Sequence, residues 1–130
     1  MGIFMCPSVF SIEIPKDDAR KLAMNFYLEK TLQSTKLNPG NFSISNELTI
    51  SDQGQTLFYV FNLEANKGFV IVSAHDNVYP VLGYTTTGYY TNNNQPPAFS
   101  VMIENLKSQV LDAKLNNIQA TPDVVSAWKQ

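Results

Sequence analysis

Residues 56–73 read Thr56-Leu57-Phe58-Tyr59-Val60-Phe61-Asn62-Leu63-Glu64-Ala65-Asn66-Lys67-Gly68-Phe69-Val70-Ile71-Val72-Ser73. Two β-prone runs, 56–63 and 69–73, flank a short turn ending at Gly68, which is the pattern of an antiparallel hairpin. The first run is nearly all apolar, as befits a central strand covered on both faces or on most of one. Upstream, Phe42, Ile44, Leu48 and Ile50 alternate with polar residues and predict a strand at 45–51, with Asp52-Gln53-Gly54-Gln55 as the turn into the next. Downstream, Val81-Leu82-Gly83-Tyr84-Thr85 predicts a fourth strand, continued by Tyr89-Tyr90 past a bend at Gly88. Connections this short make the sheet antiparallel.

On either side of these strands the period becomes helical. Ala19, Leu22, Ala23, Phe26 and Tyr27 recur at i, i+3, i+4, i+7 and i+8 and predict a helix over 17–34. Asp17 and Asp18 suit its positive end, and Asn38-Pro39-Gly40-Asn41 is a stop signal. After the polar loop Thr91-Asn92-Asn93-Asn94-Gln95-Pro96-Pro97, the apolar positions Phe99, Met102, Ile103, Leu106, Val110 and Ala113 predict a second helix over 96–116. Thr121-Pro122-Asp123 is a capping signature ahead of Val124, Val125 and Trp128, predicting a short third helix or an ordered tail. The expected fold class is α+β, an antiparallel sheet of about four strands packed against two main helices.

The chain has 130 residues, 44% hydrophobic and 15% charged. At about 100–200 residues per domain this is one domain with an ordinary core. Nine Lys plus Arg against eleven Asp plus Glu leave a net charge of −2 with no basic block, which argues against a nucleic-acid partner. No stretch has the length of a membrane span, and a single Cys can form neither an internal disulfide nor a thiolate metal site. Residues 1–12 are read as an arm or processing remnant and residues 13–130 as the domain. The apolar start Met1-Gly2-Ile3-Phe4-Met5-Cys6-Pro7 is not a complete signal peptide, and Phe4 and Met5 before Cys6 disfavour a lipid-attachment site.

Candidates for catalysis are few. One Cys and one His make a Cys6–His75 dyad a poor reading, because Cys6 belongs to the arm; His75 is read as a solvated turn residue, with Asp76 forming an Asx turn. No metal site, cofactor motif or phosphate-binding glycine run is found; Gly68, Gly83 and Gly88 are spaced as strand and turn glycines. Asn41-Phe42-Ser43 matches a glycosylation acceptor that matters only in a eukaryotic secretory setting. A non-enzymatic binding surface is what remains. Its candidates are Tyr84, Tyr89 and Tyr90 beside the Asn-rich loop, with sheet covering as the alternative for at least two of them, and Trp128, either a docking anchor or a lid on the core.

Gly68-Phe69-Val70-Ile71-Val72-Ser73-Ala74, followed by Pro80-Val81-Leu82-Gly83-Tyr84-Thr85-Thr86-Thr87-Gly88, resembles the pro-domain of streptopain-type cysteine peptidases and the related free-standing inhibitors. Leu57–Leu63 is similar to the family's aromatic strand, and the helices around Ala19–Phe26 and Ser100–Glu104 extend the resemblance over about residues 13–116. The resemblance implies a fold that covers a peptidase's catalytic cleft without covalent chemistry, in part through Thr91–Ala98. The implied peptidase-facing residues are Tyr84, Tyr89, Tyr90, Asn92, Asn93, Asn94, Gln95, Pro96 and Trp128. Pro96 and Pro97 depart from the family's uniformly polar loop, so the loop is assigned and no single inhibitory residue. No peptidase domain follows up to Gln130, which favours an inhibitor acting in trans; a pro-domain or folding chaperone, and a carbohydrate- or protein-binding module, are the alternatives. Because streptopain-like peptidases are exported by bacteria, the resemblance implies a periplasmic or extracellular protein needing no cofactor.

Overall fold

The hairpin of residues 56–73 is the centre of the molecule. In the computed structural model, which describes residues 13–34, 43–91, 95–116 and 120–129, it forms strands β2 (Gln55–Leu63) and β3 (Phe69–Ser73). Strand β1 (Ile44–Asp52) adds to one side and β4 (Val81–Thr85) to the other. Each pair is antiparallel and the order is β1-β2-β3-β4. Gln53 and Gly54 both take positive φ, 51° and 74°, between paired Asp52 and Gln55. That is the signature of a two-residue turn matched to the right-handed twist of its strands. The arm, Cys6, the stop signal at 38–41, the Asn41 acceptor and Asn92–Asn94 lie outside the described residues.

Three helices complete the α+β fold: α1 (Lys16–Ser34), α2 (Pro97–Leu115) and α3 (Pro122–Trp128). Every residue of β2 from Leu57 to Leu63 is buried, because the sheet is covered on both faces. Successive strand side chains point to opposite sides. Tyr59, Phe61 and Leu63, with Val70 and Val72, therefore meet Ala19, Ala23 and Tyr27 of α1. Phe58 and Val60, with Phe69 and Ile71, meet Ile103, Val110 and Leu111 of α2. The two alanines at i and i+4 let α1 lie close to the sheet. Two tyrosines keep their hydroxyls bonded at the edge of this layer, Tyr27 donating to Lys67 O at 2.7 Å and Tyr59 to Ile14 O at 2.7 Å. Burial pushes both phenols above their ordinary pKa of 10.0. Arg20 joins α1 to β1 by donating to both carboxylate oxygens of Glu47. That hydrogen-bonded pair holds Glu47 below the ordinary carboxylate range and raises Arg20. No helix among the described residues is long and apolar enough to cross a membrane.

Several expectations are corrected. Residues 86–90 do not prolong β4; they turn back over the β2–β3 connection, where Gly68 N–H donates to Gly88 O and Gly88 N–H to Asn66 O, both at 2.8 Å. Gly68 at φ 104° and Gly88 at φ 75° need glycine's freedom, but Gly83 has no positive φ and room for a methyl group 3.8 Å from Ile71. His75 is not solvated: it is fully buried, its Nε2 2.7 Å from Thr56 O. The strand ends gather around it, with Ile14 N–H donating to Ala74 O, Ala74 N–H to Leu57 O, and a β-bridge between Glu13 and His75. The Ser73 hydroxyl helps organise this turn, accepting from His75 N–H at 3.0 Å and donating to His75 O at 2.9 Å.

Candidate functional site

The loop ahead of α2 is flanked by Tyr90 on one side and Gln95 on the other. Tyr90 is 2% exposed, buried among Phe69 and Phe99 in an edge-on cluster with ring centroids 5.8–5.9 Å apart. Such mutually perpendicular rings pack favourably and fix one another's rotamers. Its backbone is held by a side chain: Tyr90 N–H donates to Asn62 Oδ1 at 2.6 Å, and Asn62 Nδ2 donates back to Tyr90 O at 3.0 Å. Asn62 is itself buried, and its amide also donates to Asn46 Oδ1 at 2.9 Å. Across the loop, Gln95 Nε2 donates to Thr91 O at 2.7 Å, and Pro96 caps α2 in an extended conformation, its carbonyl accepting from Ser100 N–H at 2.9 Å. Both stems are thus fixed, one by a buried amide and an aromatic cluster, the other by proline geometry.

The described residues among the nine proposed from sequence do not form one patch. Gln95, half-buried, and Pro96, exposed, sit on the α2 side, where Gln95 joins Thr49, Ser51, Ser100, Glu104 and Lys107 around a polar pocket of about 390 Å³. Tyr89 is 59% exposed beside them in the chain. Tyr90 is a correction: neighbours in an extended segment face opposite ways, and Tyr90 is the one turned into the core. Tyr84 lies on the other face of the sheet, 42% exposed, its ring edge-on to Phe26 of α1 at 5.0 Å. It adjoins a groove of mixed character, about 510 Å³, lined by Leu22, Phe26, Tyr79, Pro80, Val81 and Ala127 together with the polar Asn25, Glu29 and Lys30. Trp128 is half-buried and donates its indole N–H to Val78 O at 2.7 Å, a bond that ties α3 to the turn after β3. Asn92, Asn93 and Asn94 are outside the described residues.

Asn62 is the residue that sequence reading missed. Its signal is its place: one amide in an apolar strand, which is costly unless its polar atoms are bonded. The chemistry on offer is hydrogen bonding and steric contact. Among the described residues no three His, Cys, Asp or Glu side chains gather to hold a metal. Burial depresses the pKa of His75 from its ordinary 6.5, against the opposing pull of its bond to Thr56 O.

Compared with known proteins, the chain matches a family model described as Spi protease inhibitor over residues 11–110. The match takes in α1, the whole sheet, the loop and most of α2, and leaves α3 and Trp128 outside it. No curated protein and no solved structure matched the chain.

Proposed function

The chain belongs to the Spi protease inhibitor family, and from that premise we propose that it inhibits a streptopain-type cysteine peptidase by steric, non-covalent occlusion of the catalytic cleft. The family implies a protease as partner and a non-enzymatic role. The peptidase class comes from the resemblance of Gly68–Ala74 and Pro80–Gly88, and with it a bacterial, exported setting as part of the proposal. The loop between Tyr90 and α2 is the proposed occluding element, Tyr89, Asn92, Asn93, Asn94, Gln95 and Pro96 being the residues closest to the peptidase.

One observation carries this choice of element: both stems of the loop are held before any partner arrives, by Asn62 and the aromatic cluster at one end and by Gln95 and Pro96 at the other. Stems fixed in advance reduce the entropy lost on binding, which lets a small contact be tight. Tyr84 and Trp128 are on other surfaces, so in this reading they contribute to the edge of the contact at most.

The test is replacement of Asn92, Asn93 and Asn94 by glycine. Inhibition of a streptopain-type peptidase should weaken strongly while Tm moves little, since the stems are untouched. Full inhibition by this variant would exclude the loop as the occluding element.

A further inference from the structure

Asn62 sits where β2 packs against the α2 layer, a place that leucine or valine would fill at lower desolvation cost. What the amide supplies instead is a pair of bonds to one residue outside the strand. A carboxamide has the same donor and acceptor as a peptide group, and with Oδ1 accepting from Tyr90 N–H and Nδ2 donating to Tyr90 O it pairs with Tyr90 as a neighbouring strand would. The second amide hydrogen goes to Asn46 Oδ1 on β1, which fixes the plane of the group. The backbone of Tyr90, from which the chain enters the loop, is therefore held by a side chain 28 residues earlier.

We propose that Asn62 is a positioning residue of the inhibitory surface: acting through Tyr90, it fixes the stem from which the loop ahead of α2 departs, and its loss weakens inhibition beyond any effect on folding. The proposal rests on the reading of that loop as the peptidase-facing element. Asn62→Asp keeps shape and the acceptor but loses both donated bonds, and turns a carboxylate toward two oxygens. Asn46→Ala removes only the outer support. Val72→Ala, a cavity on the opposite face of the sheet, is the control for lost stability.

The experiment measures, for each variant, the inhibition constant against a streptopain-type cysteine peptidase, Tm, and amide exchange at Tyr90, Thr91 and Gln95. Asn62→Asp should raise the inhibition constant about tenfold or more and Asn46→Ala about threefold, the range expected when one or two ordered groups must be re-fixed on binding. Val72→Ala should stay within about twofold of wild type at a comparable loss of Tm. The Asn62→Asp deficit, taken as a ratio to wild type, should shrink as pH falls, because a protonated carboxyl regains a donor for Tyr90 O. An inhibition constant unchanged in Asn62→Asp overturns the proposal, as does an equal loss in Val72→Ala. Should Asn62→Asp fail to fold, Asn46→Ala decides: faster exchange with unchanged inhibition overturns it. If wild type inhibits no such peptidase, the functional reading fails by itself, and exchange at Tyr90 in Asn62→Leu, which lacks the acceptor, still tests the clamp, absence of acceleration refuting it.

Discussion

Replacing Gly68 by alanine should be among the most damaging single-methyl changes in this chain. A Cβ at Gly68 would stand 2.0 Å from Thr85 O, 2.6 Å from Thr85 C and 2.8 Å from Thr86 Cα, all backbone atoms, at φ 104°. Relief requires the end of β4 to retreat by roughly 1 Å or more to reach van der Waals distance, and overpacking of that kind costs about 1–3 kcal/mol or more. Positive φ for alanine adds about 1–2 kcal/mol. Two bonds are strained with it, Gly68 N–H to Gly88 O and Leu63 N–H to Gly68 O at 3.0 Å. The sum is about 3–5 kcal/mol, a large fraction of the ~5–15 kcal/mol that holds a domain folded. Gly88→Ala isolates the conformational part, since at φ 75° its Cβ meets nothing within 4 Å; it should cost about 1–2 kcal/mol. In thermal melts, at roughly 3–5 °C per kcal/mol for a domain of this size, Gly68→Ala should fall about 9–25 °C and Gly88→Ala about 3–10 °C. Equal shifts would show that the close approach of β4 to the β2–β3 connection does not exist.

Acidification should unfasten the fold through His75. Burial lowers its folded pKa below the unfolded 6.5, so between those values the unfolded chain binds more protons and stability rises with pH; the loss begins as pH falls past about 6.5 and is complete below the folded value. Wild-type Tm should therefore drop from pH 7.5 to 5 and His75→Gln, whose amide can still donate to Thr56 O, should lose most of that slope; parallel profiles would discount His75. At lower pH Glu47, held below 4.5 by Arg20, loses its contribution as it protonates, and Arg20→Met should flatten that second decline. Trp128→Phe removes the indole bond to Val78 O and should cost about 1 kcal/mol while leaving inhibition unchanged; a large rise in the inhibition constant would make Trp128 a docking anchor after all.

Local pattern reveals the layers of this fold because each layer writes its own period. The unbroken apolar run Leu57–Phe61 announces a strand buried on both sides, and the 3.6-residue spacing of Ala19, Ala23 and Tyr27 announces the helix that covers one of them. Gln53-Gly54 and Gly68 mark turns for reasons confined to backbone sterics. What stayed hidden depends on partners far away in sequence. His75 reads as a polar turn residue until Thr56, Glu13 and Ile14 close around it. Asn62 stands out in its strand, yet nothing local says that Tyr90 is its partner. The two adjacent tyrosines are an intermediate case: alternation requires one to face inward, but which one is set by Phe69 and Phe99.

Everything functional turns on whether this chain blocks a protease with the loop ahead of α2. Titrating the purified protein into a fixed amount of a streptopain-type cysteine peptidase should abolish turnover near one equivalent, with recovery of active peptidase on dilution or separation. Undiminished turnover at a hundredfold excess would contradict it.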